Sequence, residues 1–178
     1  MARIENRDPY EVFSEWYAEA AGSGLKEPTA VALATADTDG QPSLRMVLLK
    51  GYGPDGFVFY TNYESRKGRE LLANPKAALT FHWMPLGRQV RVQGRVEQVS
   101  TQEADAYYAS RHRDSQIGAW ASQQSRPMET AYDLEKNVAK MALKHAVGTV
   151  PRPSYWSGFR VIPHRIEFWS EKPFRLHE

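Results

Sequence analysis

The 178-residue chain has no cysteine, which excludes disulfides, thiol nucleophiles and zinc–thiolate sites. Histidine is sparse, and the five present (His82, His112, His145, His164 and His177) never stand three or four residues apart. No local pair of imidazoles can therefore seed a metal site. Long apolar runs are missing too: no stretch approaches the ~20 residues a membrane-spanning helix needs. The opening Met1-Ala2-Arg3-Ile4-Glu5-Asn6 carries no apolar signal core, so the expected location is the cytoplasm, with no membrane partner. An excess of one charge is also lacking. Lys and Arg total 23 against 21 Asp and Glu, a net charge of +2 without a polybasic run. A nucleic-acid partner is not expected, and any cation that matters acts singly, on a small anion.

What is present describes a soluble globular chain: 42% hydrophobic and 25% charged residues. The length suits one domain over residues 1–178 and is too short for two ordinary ones. Asp8-Pro9-Tyr10-Glu11 reads as a helix start, with Asp as cap and Pro in the first turn. Val12, Phe13, Trp16, Tyr17 and Ala20 follow as one apolar stripe, ended by Gly22 and Gly24. Strand-like runs come next: Ala30–Ala36, Ser43–Lys50, Phe57–Thr61, Ala77–Met84 and Gln89–Val99. A short helix is expected from the Ser65 cap to Asn74-Pro75, another from the Ser100 cap to about Arg111, and a longer one from Thr130 to about Val147. After the loop Pro151–Ser157, Phe159–Ile162 and Arg165–Trp169 read as two more strands. In Gln89–Val99 the valines Val90, Val92 and Val96 share one face, and Gln89, Arg91, Gln93 and Arg95 the other. The expected class is mainly β with peripheral helices (α+β), a small barrel of five or six antiparallel strands.

Gly51-Tyr52-Gly53-Pro54-Asp55-Gly56 matches the dinucleotide pattern G-x-G-x-x-G. That pattern has meaning only where the loop opens a helix. Here Phe57-Val58-Phe59-Tyr60-Thr61 follows, so the segment is read as a hairpin turn.

Four groups of residues could carry chemistry. Ser65-Arg66-Lys67 places two cations in a first helical turn, where they oppose the helix dipole. Either they are solvated, or an anion docks on the free N–H groups there. Arg45 and Lys50 bracket the apolar Met46-Val47-Leu48-Leu49. Their odd spacing sets them on opposite faces of an ideal strand, so a shared ligand requires a bend or bulge. Tyr107, Arg111 and Ser115 can together cradle a phosphate. By spacing alone, though, the favoured reading is Arg111 serving its own helix dipole with Asp114 as partner. Arg175 and His177 share a face of an extended segment and suit a substrate or a solvated chain end.

Seven blocks together resemble one family. Arg45–Lys50, Phe59-Tyr60-Thr61-Asn62, Ser65-Arg66-Lys67, Arg88-Gln89-Val90, Arg113–Trp120, Ile166-Glu167-Phe168-Trp169 and Arg175-Leu176-His177 occur in the order and near the spacing of the pyridoxamine 5′-phosphate oxidases. The resemblance runs from about Asp8 to the end of the chain. It implies an FMN-binding split β-barrel, with flavin sites at a homodimer interface. FMN is then expected on Arg45, Met46, Val47, Leu48, Leu49, Lys50, Tyr60, Thr61, Arg66, Lys67, Gln89, Gln124, Ser125 and Trp169, drawn from both subunits. The substrate phosphate falls to Lys50, Tyr107, Arg111 and Ser115, and Arg175 and His177 take the catalytic positions over the pyridine ring. The implied reaction is oxidation of pyridoxamine or pyridoxine 5′-phosphate to pyridoxal 5′-phosphate by dioxygen. Family members usually carry an N-terminal basic–aromatic segment and continue past Arg-Leu-His with another Arg and a last strand. This sequence begins too late for the first and stops at Glu178, with most of the last strand missing: either the chain is a shortened form or the site is less enclosed than is usual in the family. Two alternatives stay open: a different flavin oxidase on the same barrel, such as a phenazine-biosynthesis oxidase, or a non-catalytic carrier of flavin or pyridoxal phosphate.

Overall fold

The computed structural model describes residues 7–122, 124–127, 130 and 132–175. Helix α1 (Pro9–Gly22) starts where Asp8 accepts a hydrogen bond from the Tyr10 amide. Seven strands follow: β1 (Ala30–Ala36), β2 (Pro42–Leu48), β3 (Gly51–Gly53), β4 (Gly56–Asn62), β5 (Lys76–Trp83), β6 (Arg88–Gln98) and β7 (Trp156–Ser170). Between them lie α2 (Arg66–Ala73), α3 (Thr101–Ser110), α4 (Arg113–Ala121) and α5 (Asp133–Lys144). Every strand pairing is antiparallel, in the order β2-β1-β5-β6-β7-β4-β3. No helix among the described residues is long and apolar enough to cross a membrane.

The sheet curls because the chain beyond β2 joins its distant parts. The Leu49 amide donates to Thr29 O (2.9 Å), beside β1, and the Lys50 amide donates to Val58 O (2.8 Å), on β4. Helix α1 fills the space inside the curl. Phe13 is fully buried, with ring centroids of Tyr52, Phe57, Phe81 and Trp83 at 4.8, 5.0, 5.1 and 5.8 Å. The apolar stripe of α1 thus meets β3, β4 and β5 at once. Its outer end is held by Arg88, which lies 4.5 Å over the Trp16 ring and pairs with Glu19 at 2.7 Å.

Most of the expected elements form within a residue or two of their sequence limits, and Gly51–Gly56 is a β3–β4 hairpin, not a nucleotide loop. Three expectations need correction. The sheet has seven strands, the extra one being the three-residue β3. Arg113–Ala121 is a helix, α4, which the polar sequence of that block disguised. The runs Phe159–Ile162 and Arg165–Trp169 are one 15-residue strand. Pro163 and His164 had read as a break, but His164 is accommodated as a bulge, because Gln93 faces Arg165 while Gly94 faces Pro163.

Gly94 makes that bulge possible: a Cβ there would lie 2.1 Å from the backbone oxygen of Ile162. Gly94→Ala is expected to destabilise the chain by about 2 kcal/mol or more in a denaturant titration. The same change at Gly22, where a Cβ meets nothing within 4 Å, is expected to shift stability by less than about 1 kcal/mol.

Candidate functional site

The end of β4 and the start of α2 form the floor of the site. Ser65 caps α2: its hydroxyl donates to Asn62 O (2.7 Å) and accepts from the Gly68 amide (3.2 Å). The turn is tight enough that a Cβ at residue 68 would stand 2.4 Å from Tyr63 O, so glycine is required there. This packing buries Lys67, whose Nζ donates to Thr61 Oγ1 (3.2 Å), Ser65 Oγ (3.3 Å) and Gln124 Oε1 (3.1 Å). All three acceptors are neutral, and among the described residues no carboxylate pairs with Lys67. Burial and the nearby Arg45 push the ammonium down to about 8.

Glu70, one turn further along α2, is also buried. It accepts from Arg66 Nε at 2.8 Å, from Ser43 Oγ at 2.5 Å, from the Thr35 hydroxyl, and from Arg45 Nη2 at 3.3 Å. Burial alone would raise its carboxyl. The bonds from Ser43, Thr35 and Arg66 and the charge of Arg45 outweigh that and hold it at about 2. Arg45 turns inward: Nη1 donates to Leu33 O (3.2 Å) and Thr35 Oγ1 (2.5 Å), and Nη2 donates to Ser43 as well as Glu70. Arg45, Arg66, Lys67, Gln124 and Ser125 line one cavity of about 380 Å³, together with Ser43, Leu44 and Met46.

A second cavity, of about 450 Å³, shares Met46, Lys67 and Gln124 with the first. Val47, Leu48, Lys50, Tyr60 and Thr61 form one side of it; Tyr107, Arg111 and Ser115 line it from α3 and α4. A hydrogen-bonded clip sets the angle between those helices: Tyr108 donates its hydroxyl to Gln116 O (2.8 Å), and Gln116 Nε2 donates back to Tyr108 O (2.9 Å). Arg111 sits at the elbow, its guanidinium 4.6 Å over the Trp156 ring and 5.8 Å from that of Tyr108. Its Nη1 is buried without a hydrogen-bond partner, and burial lowers its pKa. Asp114 lies within ion-pair distance of His112, not Arg111, so the helix-dipole alternative loses its partner. Tyr60, Tyr107 and Trp156 stack nearly parallel, Tyr60 and Tyr107 at 3.9 Å. Burial, with Glu103 beside it, pushes the Tyr60 phenol up to about 12.

The expected residues divide accordingly. Arg45 and Lys50 share no cavity, because the chain leaves the sheet between them; each lines one of two adjoining spaces. Leu49 points into the core. The apolar Met46 and Leu48 are 61% and 39% exposed on an edge strand. Gln89 and Trp169 face each other across β6 and β7 and line neither cavity. Trp156, at the other end of β7, does line one. The two tryptophans are about 40 Å apart along the strand at roughly 3.3 Å per residue. Arg175 ends the last described turn, Pro173–Arg175, and His177 lies outside the described residues. Sequence reasoning missed Trp156 and Glu70. Glu70 had a signal, its i,i+4 spacing from Arg66; Trp156, read as loop, had none.

Lys67 yields a pH test. Its folded-state value, about 8, lies below the ordinary 10.5, so the folded chain resists its charge and stability rises as pH climbs from 8 to 10.5. Comparison with Lys67→Met isolates this group. The stability difference between the two ligand-free proteins is expected to move in the parent's favour by on the order of 3 kcal/mol between pH 7 and pH 10.5. A flat difference would mean that the ammonium is not held in this buried site.

Residues 18–145 match the family model described as pyridoxamine 5′-phosphate oxidase, and residues 156–178 match the pyridoxine 5′-phosphate oxidase C-terminal dimerisation region. A pyridoxine/pyridoxamine 5′-phosphate oxidase of Rhodospirillum rubrum is 61% identical, covering 100% of this chain and 91% of the relative. One of Brucella canis is 60% identical over 98% of this chain and 86% of the relative. Among solved structures, PhzG from Burkholderia lata, in complex with tetrahydrophenazine-1-carboxylic acid, superposes with a TM-score of 0.90 at 31% identity, covering 99% of this chain and 89% of that one. An FMN-binding protein from Nostoc punctiforme shares the fold, with a TM-score of 0.71 at 12% identity and coverage of 97% and 96%. The fold is the split barrel of these flavin proteins, and the chain belongs to the pyridoxine/pyridoxamine 5′-phosphate oxidase family.

Proposed function

We propose that the chain is one FMN-binding domain, cytoplasmic, that pairs with a second copy and oxidises pyridoxamine or pyridoxine 5′-phosphate to pyridoxal 5′-phosphate with dioxygen. One observation carries the reading. Two cationic cavities adjoin through Lys67 and Gln124, one lined by Arg45 and Arg66 and the other by Arg111. A reaction between two phosphate-bearing molecules, cofactor and substrate, needs two such anion sites side by side. Relatives about 60% identical bear the oxidase name, which supports the same assignment.

FMN fits the residues present. Among the described residues Lys67 is a buried cation with only neutral partners, a costly arrangement that a bound anion relieves. The flavin phosphate is assigned to Arg66 and Lys67 with Arg45, Gln124 and Ser125, and the rest of the cofactor to the Met46–Lys50 segment, Tyr60 and Thr61. Gln89 and Trp169 are assigned to the flavin of the opposite subunit, since the length of β7 separates Trp169 from this chain's own cavity. When bound, FMN would supply the redox chemistry, a two-electron transfer from the substrate C4′ carbon to dioxygen, with one hydrogen leaving C4′ as hydride and the second as a proton from the substrate's hydroxyl or amine, so that dioxygen ends as hydrogen peroxide. The amine substrate also consumes water and releases ammonia.

The protein's own part is placement. Arg111, Tyr107, Ser115 and Lys50 bind the substrate phosphate and so fix where the ring lies. Arg111 arrives preorganised, since its guanidinium rests over the Trp156 ring and Nη1 has no competing acceptor. The Tyr60 phenol keeps its proton at any physiological pH and adds no charge near the ring. Arg175 and His177 are assigned to the pyridine ring's polar groups.

Oxygen uptake and peroxide formation with pyridoxine 5′-phosphate, against unphosphorylated pyridoxine, test the assignment. The phosphorylated substrate is expected to be strongly preferred. Arg111→Ala is expected to raise KM about 10–100-fold, the equivalent of one charge-assisted hydrogen bond, with FMN affinity unchanged. Equal turnover of both substrates would favour a phenazine-type oxidase. Flavin binding without oxygen uptake would favour a carrier.

A further inference from the structure

Among the described residues, Glu70 is the one carboxylate that touches the cluster of cations at the smaller cavity, yet it is not among the residues lining that cavity. Its two oxygens are divided. Oε1 takes only Arg66 Nε, while Oε2 takes Arg45, Ser43 and Thr35. The consequences for the two arginines differ. Arg45 has both terminal nitrogens engaged, on Leu33, Thr35, Ser43 and Glu70. Arg66 is held by Nε alone, and its Nη atoms make no hydrogen bond among the described residues. Its side chain is 55% exposed at the first turn of α2, where an untethered arginine would sample many rotamers. A guanidinium gripped at Nε presents its two Nη groups as a fixed fork, the geometry that takes two phosphate oxygens together.

We infer that Glu70 is a positioning residue for the flavin phosphate: gripped from behind, Arg66 presents its outer fork to the anion, and Arg45 is held as a charge beneath it. The inference rests on the FMN reading above. It also explains why a carboxylate stands so close to an anion site. Arg45, Arg66 and Lys67 would repel one another there without it, and two guanidiniums share the one carboxylate, so the cluster stays cationic. Two other roles make opposite forecasts. If Glu70 acted only by its charge, its removal would tighten FMN binding by removing repulsion. If it only stitched α2 to β1 and β2, its loss would weaken every flavin alike.

The test titrates FMN and riboflavin, which lacks the phosphate, into flavin-free parent, Glu70→Gln and Arg66→Ala proteins and the double variant. Quenching of flavin fluorescence reports each Kd. Glu70→Gln is expected to raise the Kd for FMN about tenfold and to leave that for riboflavin unchanged. In the Arg66→Ala background the same change is expected to cost FMN much less, because the fork it positions is gone. Should Glu70→Gln fail to fold, Glu70→Asp, which retracts the carboxylate by one methylene, is expected to show the same selective loss. FMN binding that is tighter or unchanged overturns the inference, as does an equal loss for both flavins or an undiminished effect without Arg66. A parent protein that binds neither flavin overturns the proposed function itself, and the inference with it.

Discussion

Two consecutive backbone hydrogen bonds, from Leu49 to Thr29 and from Lys50 to Val58, carry the chain from one side of the sheet to the other. They curl seven strands around α1 and bring β2, the start of α2 and the end of β4 to a common rim. Each later feature of the site depends on that closure. It separates Arg45 from Lys50 into adjoining cavities and places Thr61 beneath Lys67. The aromatic filling of the curl, centred on Phe13, holds the closure rigid, because a close-packed interior deforms only at a cost in contacts.

The rim carries unbalanced charge. Lys67 is buried among neutral acceptors, and Arg111 has a buried Nη1 with nothing to bond. Both arrangements oppose folding, since burial of a cation without a counter-ion forfeits its hydration. Sites that bind ligands commonly trade stability for function in this way. The exception is Glu70, which neutralises part of the cluster through two guanidiniums and two hydroxyls. Hydrogen bonds inside a protein are worth more than in water, so so fully satisfied a carboxylate is a rigid support.

The rest of the site is set by helix geometry. The reciprocal Tyr108–Gln116 bonds fix the elbow between α3 and α4, and Arg113 and Trp120 fasten α4 to the backbone of Gly148 and Pro151. Most of the Arg113–Trp120 block, the most distinctive run in the sequence, is therefore scaffolding. Ser115 is the one polar side chain of that block that lines the cavity.

Local signals were legible in the sequence because they are local. Asp8, Ser65 and Ser100 announce their helices by capping, which involves only a few neighbouring residues. The alternation in β6 and the hairpin at Gly51–Gly56 are likewise written within one or two elements. The cations at positions 45, 50, 66, 67 and 111 stood out by chemistry alone, and the family resemblance named them. Pairing across the molecule was not legible. The continuity of β7 through Pro163 depends on Gly94, which lies 69 positions earlier and whose bare Cα admits the bulge. Trp156 reaches Arg111 and Tyr107 only because β7 pairs with β4, and Glu70 meets Thr35 and Ser43 only because α2 folds over β1 and β2. The sequence by itself determined which segments coil, which extend and which side chains carry charge, because those follow from short-range sterics and hydrogen bonding. The tertiary structure alone decided which charges are buried, which are paired and which face a cavity, because burial and pairing belong to groups that meet only when distant parts of the chain close on one another.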